Sequence, residues 1–496
     1  MRYVIGVDLG TSAVKVLLVN QEGKTTAEAS REYPLYHDQP GWSEQDPDDW
    51  VRAVTEALHE VKETLQDNDA VDGLSFSGQM HGLVLLDEEQ KPLRRAILWN
   101  DTRTTAQCRE IESKVGKKEL HEITKNPALE GFTLPKLLWV KEHEPDVFSQ
   151  ADAFVLPKDY VRLKLTGELG MEYSDAAGTL LLDVAEQEWS RTICEKTGIP
   201  FTLCPPLTAS HEQVGVLTED IQSETGLSAV PVSAGGADNA CGALGTGVLQ
   251  EGTVLSSTGT SGVVLAYEKD AATQVEPPIH YFNHGAPGAY YTMGVTLAAG
   301  HSLTWFRETC APEKSFDELI ELAAQSPAGA RGLLFTPYIS GERTPHPDAD
   351  IRASFIGLHA SHTIGDMARA VLEGITFSLN ESVASFRRAG KTIDRVIATG
   401  GGAKSRLWLQ LQADIYRAPV VRLEVEQGPG LGAAMLAALG AGWFATAEEA
   451  AAVFVKEAEE IQPSADASVY ESLFPLYQKV YGVTSELSRE LKAYRG

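Results

Sequence analysis

Apolar residues alternate with small or polar ones from the first positions of the chain: Tyr3, Val4, Ile5 and Val7, then Val14, Val16 and Leu18. Two such runs separated by Asp8-Leu9-Gly10-Thr11-Ser12, with a Gln21-Glu22-Gly23 turn after the second, predict a β-hairpin with a tight bend of glycine and hydroxyl residues. Residues 252–268 repeat the plan, with a strand over 253–256, the bend Thr258-Gly259-Thr260-Ser261, and a return through Val263, Val264 and Leu265. Two hairpins of one design, half a chain apart, predict a duplicated domain with its boundary near residue 245, hence halves 1–245 and 246–496.

Elsewhere the pattern alternates strand-like runs with segments of helical period. Residues 50–65 read as an amphipathic helix and 71–77 as a strand; 364–387, 395–399 and 405–416 read as helix, strand and helix. This alternation predicts an α/β architecture. No Ser/Gly-rich linker interrupts either half, so the two lobes should pack closely around a cleft. An uncharged run, 427–447, approaches the length of a membrane span, but its dominance by Ala and Gly predicts a tightly packed interior helix instead.

With 496 residues, 43% of them apolar, the chain can bury substantial cores. A formal net charge of -27 repels nucleic acid and anionic membranes, which excludes both as general partners. The five cysteines are odd in number, scattered and free of CxxC spacing, so neither a disulfide framework nor a zinc site is expected. Residues Met1 to Asp8 read as a strand that begins at once, without a basic and apolar leader, which agrees with the expectation of a cytoplasmic location. A homodimer is left open.

The candidate chemistry is phosphoryl transfer, which needs a cradle for phosphates, a metal site and a carboxylate near the accepting hydroxyl. Gly10, Thr11 and Ser12 can offer backbone N–H and hydroxyl groups to an anion, with Lys15 as a nearby charge that serves equally well on the surface. Thr258, Gly259 and Thr260 would face them from the other lobe. Asp8, ending a buried strand, suits the hydration shell of Mg²⁺. The loop Gly400-Gly401-Gly402-Ala403, between a strand and a helix, fits a nucleotide, although a glycine triplet also serves as a plain tight turn. Asp238 follows Gly235-Gly236 at the start of a small-residue helix that includes Asn239. It is expected both to cap that helix and, kept ionised by the helix end, to act as the base. Gln79, Met80 and His81 form an uncharged polar loop suited to a polyol, and Trp99 could wall a sugar while Asp101 and Arg103 pin their loop.

These residues resemble the FGGY carbohydrate kinases over nearly the whole chain. The first family signature is matched by Gly131-Phe132-Thr133-Leu134-Pro135-Lys136-Leu137-Leu138-Trp139, the second by Ala353–Leu358 followed by Asp366–Glu373. Gly78–Gly82, Ser340–His346 and Gly236–Asn239 look like the versions of the D-xylulose-phosphorylating branch rather than of glycerol kinase. The resemblance implies two actin-like, ribonuclease H-like ATPase lobes closing around the substrates. It also implies transfer of the ATP γ-phosphate to the C5 hydroxyl of D-xylulose, giving D-xylulose 5-phosphate and ADP. By the same resemblance Asp238 is the base, Asp8 the Mg²⁺-organising carboxylate, and Met80 and His81 part of the sugar pocket. Two departures stand out: Gly430-Leu431 in place of another pair, and Ala237 where a glycine is expected, next to the base. A kinase for another pentulose, polyol or aldonate, and more remotely a non-catalytic actin-like nucleotide binder or ATPase, are the alternatives.

Overall fold

The computed structural model describes residues 1–271 and 278–495. Among the described residues two seven-stranded sheets carry the architecture. In the first, Arg2–Leu9 lies between its antiparallel hairpin partner Ala13–Asn20 and the parallel strand Ala70–Gly78. Thr25–Glu32 extends the hairpin side and Pro231–Ser233 the parallel side. In the second, Thr253–Thr258 lies between Gly262–Glu268, antiparallel, and Arg395–Gly400, parallel. Tyr290–Thr296 and Val420–Leu423 extend it in the same way. The two sheets thus share strand order and direction, and the hairpin repeat in the sequence is the visible part of a repeated topology.

The predicted elements are found with small shifts that local chemistry explains. The first helix runs over Pro47–Lys62, earlier than 50–65, because Asp46 caps it and Pro47 supplies a preset first residue. Ile364–Arg388 starts at Thr363, whose hydroxyl bonds the Asp366 N–H while Asp366 reaches back to the cap. Ser405 caps Arg406–Tyr416 in a similar manner. The run 427–447 becomes a shorter helix, Gly428–Gly440, followed by a break at Gly442, whose φ is +72°, and a second helix, Ala447–Phe454. No helix among the described residues is long and apolar enough to cross a membrane.

Helix Gly428–Gly440 lies in sequence between two strands of the second sheet, Val420–Leu423 and Glu457–Ile461, yet packs on the first sheet. A Cβ on Gly6 would stand 2.2 Å from the Gly430 carbonyl, and one on Gly73 2.9 Å from that of Ala437. Glycine in the strands lets backbone touch backbone there.

Candidate active site

The bend Gly10-Thr11-Ser12 is held by its carbonyls. The Tyr33 hydroxyl donates to Gly10 O, Gln45 Nε2 to Thr11 O at 2.7 Å, and the Tyr33 N–H to Ser12 O at 3.3 Å. The N–H groups of Thr11 and Ser12 have no acceptor among the described residues. The second bend is built alike. Gly300 N–H donates to Gly259 O at 2.8 Å, and the N–H groups of Ala299 and His301 to Thr260 O. Gly259 and Thr260 are exposed, and their own N–H groups are unbonded among the described residues. A bend whose carbonyls are tied back and whose N–H groups are free is the geometry that binds an anion. The Thr258 side chain differs from the expectation: it is buried against Gly402, with its hydroxyl unpartnered.

Asp238 opens helix Asp238–Gly245. It does not cap that helix. Ala237 occupies the cap position, and Asp238 Oδ1 instead accepts from Asn239 N at 2.7 Å and Asn239 Nδ2 at 2.9 Å. The expectation that the helix end keeps Asp238 ionised is also overturned. Loss of water, and after it the neighbouring charge of Asp8, pushes its carboxyl up to about 7, against the pull of Asn239. Burial raises Asp8 as well, opposed by Ser77 and Lys15. Two buried carboxyls on one sheet, near enough that the charge of Asp8 raises Asp238, fit a magnesium ion, which takes one or two carboxylates and keeps several waters.

The raised pKa gives a signed stability prediction. A carboxyl at about 7 in the fold and about 4 when unfolded is most compatible with the fold at low pH, so its ionisation destabilises the fold as pH climbs between those values. The melting temperature of the parent relative to Asp238→Asn should therefore decline from pH 4 to pH 7 and level off above. A difference independent of pH would show that Asp238 titrates normally.

A cavity of about 340 Å³ opens beside this carboxyl. Asp238, Asn239 and Gly242 line one side, Leu255, Ser257 and Val263 another, and Thr399-Gly400 with Gln427–Pro429 the third, so both halves contribute. Gly400 has φ +76°, and a Cβ there would stand 2.5 Å from Thr258 O; at Gly402 it would meet the Thr258 side chain at 2.9 Å. Close packing on the second hairpin thus accounts for two of the three glycines. Gly401 and Ala403 complete the turn. Lys15 reaches from the first hairpin to Gln427 Oε1 at 3.0 Å, with Glu28 at 3.8 Å.

On the other side of Asp238, Asn239 Nδ2 contacts Met80 Sδ at 3.6 Å, and the Tyr291 hydroxyl approaches the same sulfur at 3.9 Å. His81, at φ +67°, donates from Nδ1 to Gly178 O at 2.7 Å. Burial and the nearby Lys136 hold its imidazole down at about 3, so the ring is neutral, which leaves Nε2 as an acceptor. Phe132 packs on it at 4.6 Å between ring centroids. Gln79 is buried and bonds Gln45 at 3.0 Å, supporting the first bend from beneath. Trp99 is 39% exposed and donates its indole N–H to Thr11 Oγ1 at 3.0 Å, so it stands over that bend. Asp101 and Arg103 pin the loop as expected, through two side-chain bonds of 2.9 and 2.6 Å.

Three neighbours escaped the sequence reading. Lys136 is fully buried, donates to His81 O at 2.9 Å and Gly131 O at 2.5 Å, and is pulled down to about 7 by burial. Its signal was a lone charge inside the apolar run Leu134–Trp139. His280, fixed by Asn126 Oδ1 at 3.0 Å, and Arg343 come from the second half, and Arg343 depresses both His280 and His81. Arg343 stands in the Ser340–His346 segment, to which the resemblance attached no role, and no local pattern marks His280.

Comparison with known proteins agrees with this geometry. Models of the FGGY family of carbohydrate kinases match residues 3–245 with the N-terminal domain and 254–441 with the C-terminal domain. The chain is 54% identical to a xylulose kinase of Bacillus subtilis over the whole of both chains. Its structure superposes on xylulose kinase from Rhodospirillum rubrum with a TM-score of 0.92 at 31% identity, over 98% of this chain and 100% of that one. Gluconate kinase from Lactobacillus acidophilus gives 0.92 at 28% identity, over 97% and 98%. With two sheets of like topology and family models matched across both halves, the chain belongs to the FGGY family of carbohydrate kinases.

Proposed function

We propose that the chain phosphorylates D-xylulose at its C5 hydroxyl with ATP, giving D-xylulose 5-phosphate and ADP. The observation that carries this reading is the placement of Asp238 between the two-sided cavity and the Met80–His81 loop, with Asn239 bonded to both Asp238 and Met80. Neutral His81, the Met80 thioether and the Phe132 ring make an acceptor pocket for an uncharged polyol. The xylulose kinases at 54% and 31% identity support the choice of sugar.

In this reading Gly10, Thr11 and Ser12 grip the phosphates from one lobe and Gly259 and Thr260 from the other. The loop 400–403 lies beside the adenosine, and Lys15 adds charge at the rim. Asp8 would hold a hydrated Mg²⁺, which, when bound, offsets negative charge on the phosphate oxygens. Asp238 accepts the C5 hydroxyl proton as the phosphoryl group passes from the β,γ-bridging oxygen to the C5 oxygen. A carboxyl at about 7 is matched to that task near neutral pH. The sugar side is assigned to residues 1–245 and the nucleotide side to 246–496, with Gln79 and Trp99 bracing the first bend. The five thiols, all free, support a reducing compartment such as the cytoplasm.

One observation favours a second acceptor class. Arg343 adds to the depression of His81 after burial and Lys136, and, although Glu130 and Glu342 face its charge, its guanidinium makes no hydrogen bond among the described residues, which leaves donors for a carboxylate-bearing aldonate. Lys136 offers no such help, since its amine is spent on two carbonyls. An ADP-release assay over pentuloses, hexuloses, polyols and aldonates separates the readings. D-xylulose should give the highest kcat/KM, at least about tenfold above gluconate, the ratio set by one well-made polar contact. Preference for gluconate would transfer the assignment to aldonates.

A further inference from the structure

The backbone leading into Asp238 is tethered at three points on its buried side. Arg162 donates to Ala234 O at 3.1 Å, Gly235 N–H to Ser210 O at 2.9 Å, and Ala237 N–H to Ser174 Oγ at 2.9 Å. On the opposite side Gly236 and Ala237 pair with Ser77 and Gly78 of the central strand. The three tethers converge. Ser174 Oγ donates to the Glu172 carboxylate at 2.8 Å, Ser210 Oγ to the same carboxylate at 2.9 Å, and Lys158 stands 3.3 Å from it. Lys158 also pairs with Asp159 and Asp175, at 2.8 and 2.9 Å, and Arg162 with Asp159 at 3.2 Å. Every one of these charged groups is buried. Such an ionic cluster is rarely more stabilising than apolar packing of the same volume, so its use is better sought in what it fixes.

What it fixes is the short helix Tyr173–Ala177, capped by Glu172. One end of that helix holds Ala237 through Ser174. The residue after its other end, Gly178, holds His81 Nδ1 through its carbonyl at 2.7 Å, and a Cβ at Gly178 would crowd that nitrogen at 2.8 Å. A single buried support therefore reaches both the proposed base and the proposed acceptor pocket.

We propose that Ser174 is a positioning residue for Asp238, its hydroxyl fixing the Ala237 peptide from which the Asp238 helix emerges. The inference rests on the sugar-kinase reading above. A displacement of about 1 Å at the reacting carboxylate is enough to slow transfer by about a hundredfold. Ser174→Ala, compared with the parent, should lose about ten- to a hundredfold in kcat for D-xylulose while the KM for ATP stays within about twofold. Ser174→Thr keeps the hydroxyl and should restore kcat to within about threefold of the parent. In an Asp238→Asn background, Ser174→Ala should cause little further loss, since the group it positions is already disabled. Should Ser174→Ala not accumulate as folded protein, Ser174→Cys, with similar volume and a poor acceptor, takes its place in all three comparisons. Normal kcat in the folded variant, a Thr variant as slow as Ala, or losses that multiply in the double variant would each overturn the proposal. A parent that turns over no sugar overturns the functional reading, whereas an active parent with an unaffected Ser174→Ala overturns this inference alone.

Discussion

Asp238→Asn is expected to bind nucleotide as the parent does and to phosphorylate D-xylulose about a hundred- to ten-thousandfold more slowly, the usual contribution of a positioned general base. The substitution is nearly isosteric. Its Oδ1 can still accept from Asn239, so the helix start and the cavity wall should persist. What disappears is a group able to take the hydroxyl proton, and with it the repulsion between Asp238 and Asp8. Nucleotide affinity is the control, because the bends at 10–12 and 259–260 offer backbone N–H groups that the substitution leaves alone. Equilibrium binding of ATP and single-turnover transfer to D-xylulose, measured on the same preparation, separate the two effects. Near-parental transfer would remove Asp238 from the reaction.

The extent to which this site was legible follows from the range of the forces involved. The bends, the parallel strands and the capped helices are set by neighbours in sequence, through strand alternation, Gly and hydroxyl residues at turns, and Thr363 or Ser405 at helix starts. Those signals were readable. The protonation of Asp238 was not, because it depends on burial and on Asp8, some 230 residues away in sequence, and both outweigh the helix end on which a local reading relied. Thr258 illustrates the same limit. Its residue type fits a phosphate cradle, but the close approach of Gly402 turns its hydroxyl inward. The lone Lys136 in an apolar run was a readable anomaly whose partners, His81 O and Gly131 O, only the fold could supply.

Gly432→Val should be the most damaging single substitution for the fold, although no ligand touches this residue in the reading above. A Cβ there would stand 1.9 Å from Cys241 O and 2.8 Å from Cys241 Cα, and at the facing position a Cβ on Gly245 would stand 2.3 Å from Gly428 O. These are backbone atoms of two helices in mutual contact, so no side chain can move aside to make room. Helices Asp238–Gly245 and Gly428–Gly440 would have to separate by more than an ångström, and the second is also wedged against Gly6 and Gly73 of the first sheet. Overpacking of this kind costs about 3 kcal/mol or more, well above what a substituted glycine regains in chain entropy. Gly482→Ala is the matched control, since that glycine lies exposed in helix Ala467–Glu490 with nothing within 4 Å of the added carbon, and it should gain about 0.5–1 kcal/mol. Thermal melts of the two variants should therefore move in opposite directions. A Gly432→Val protein with the parental melt would mean that the helices tolerate separation, and the start of helix Asp238–Gly245 would then not be held by this contact.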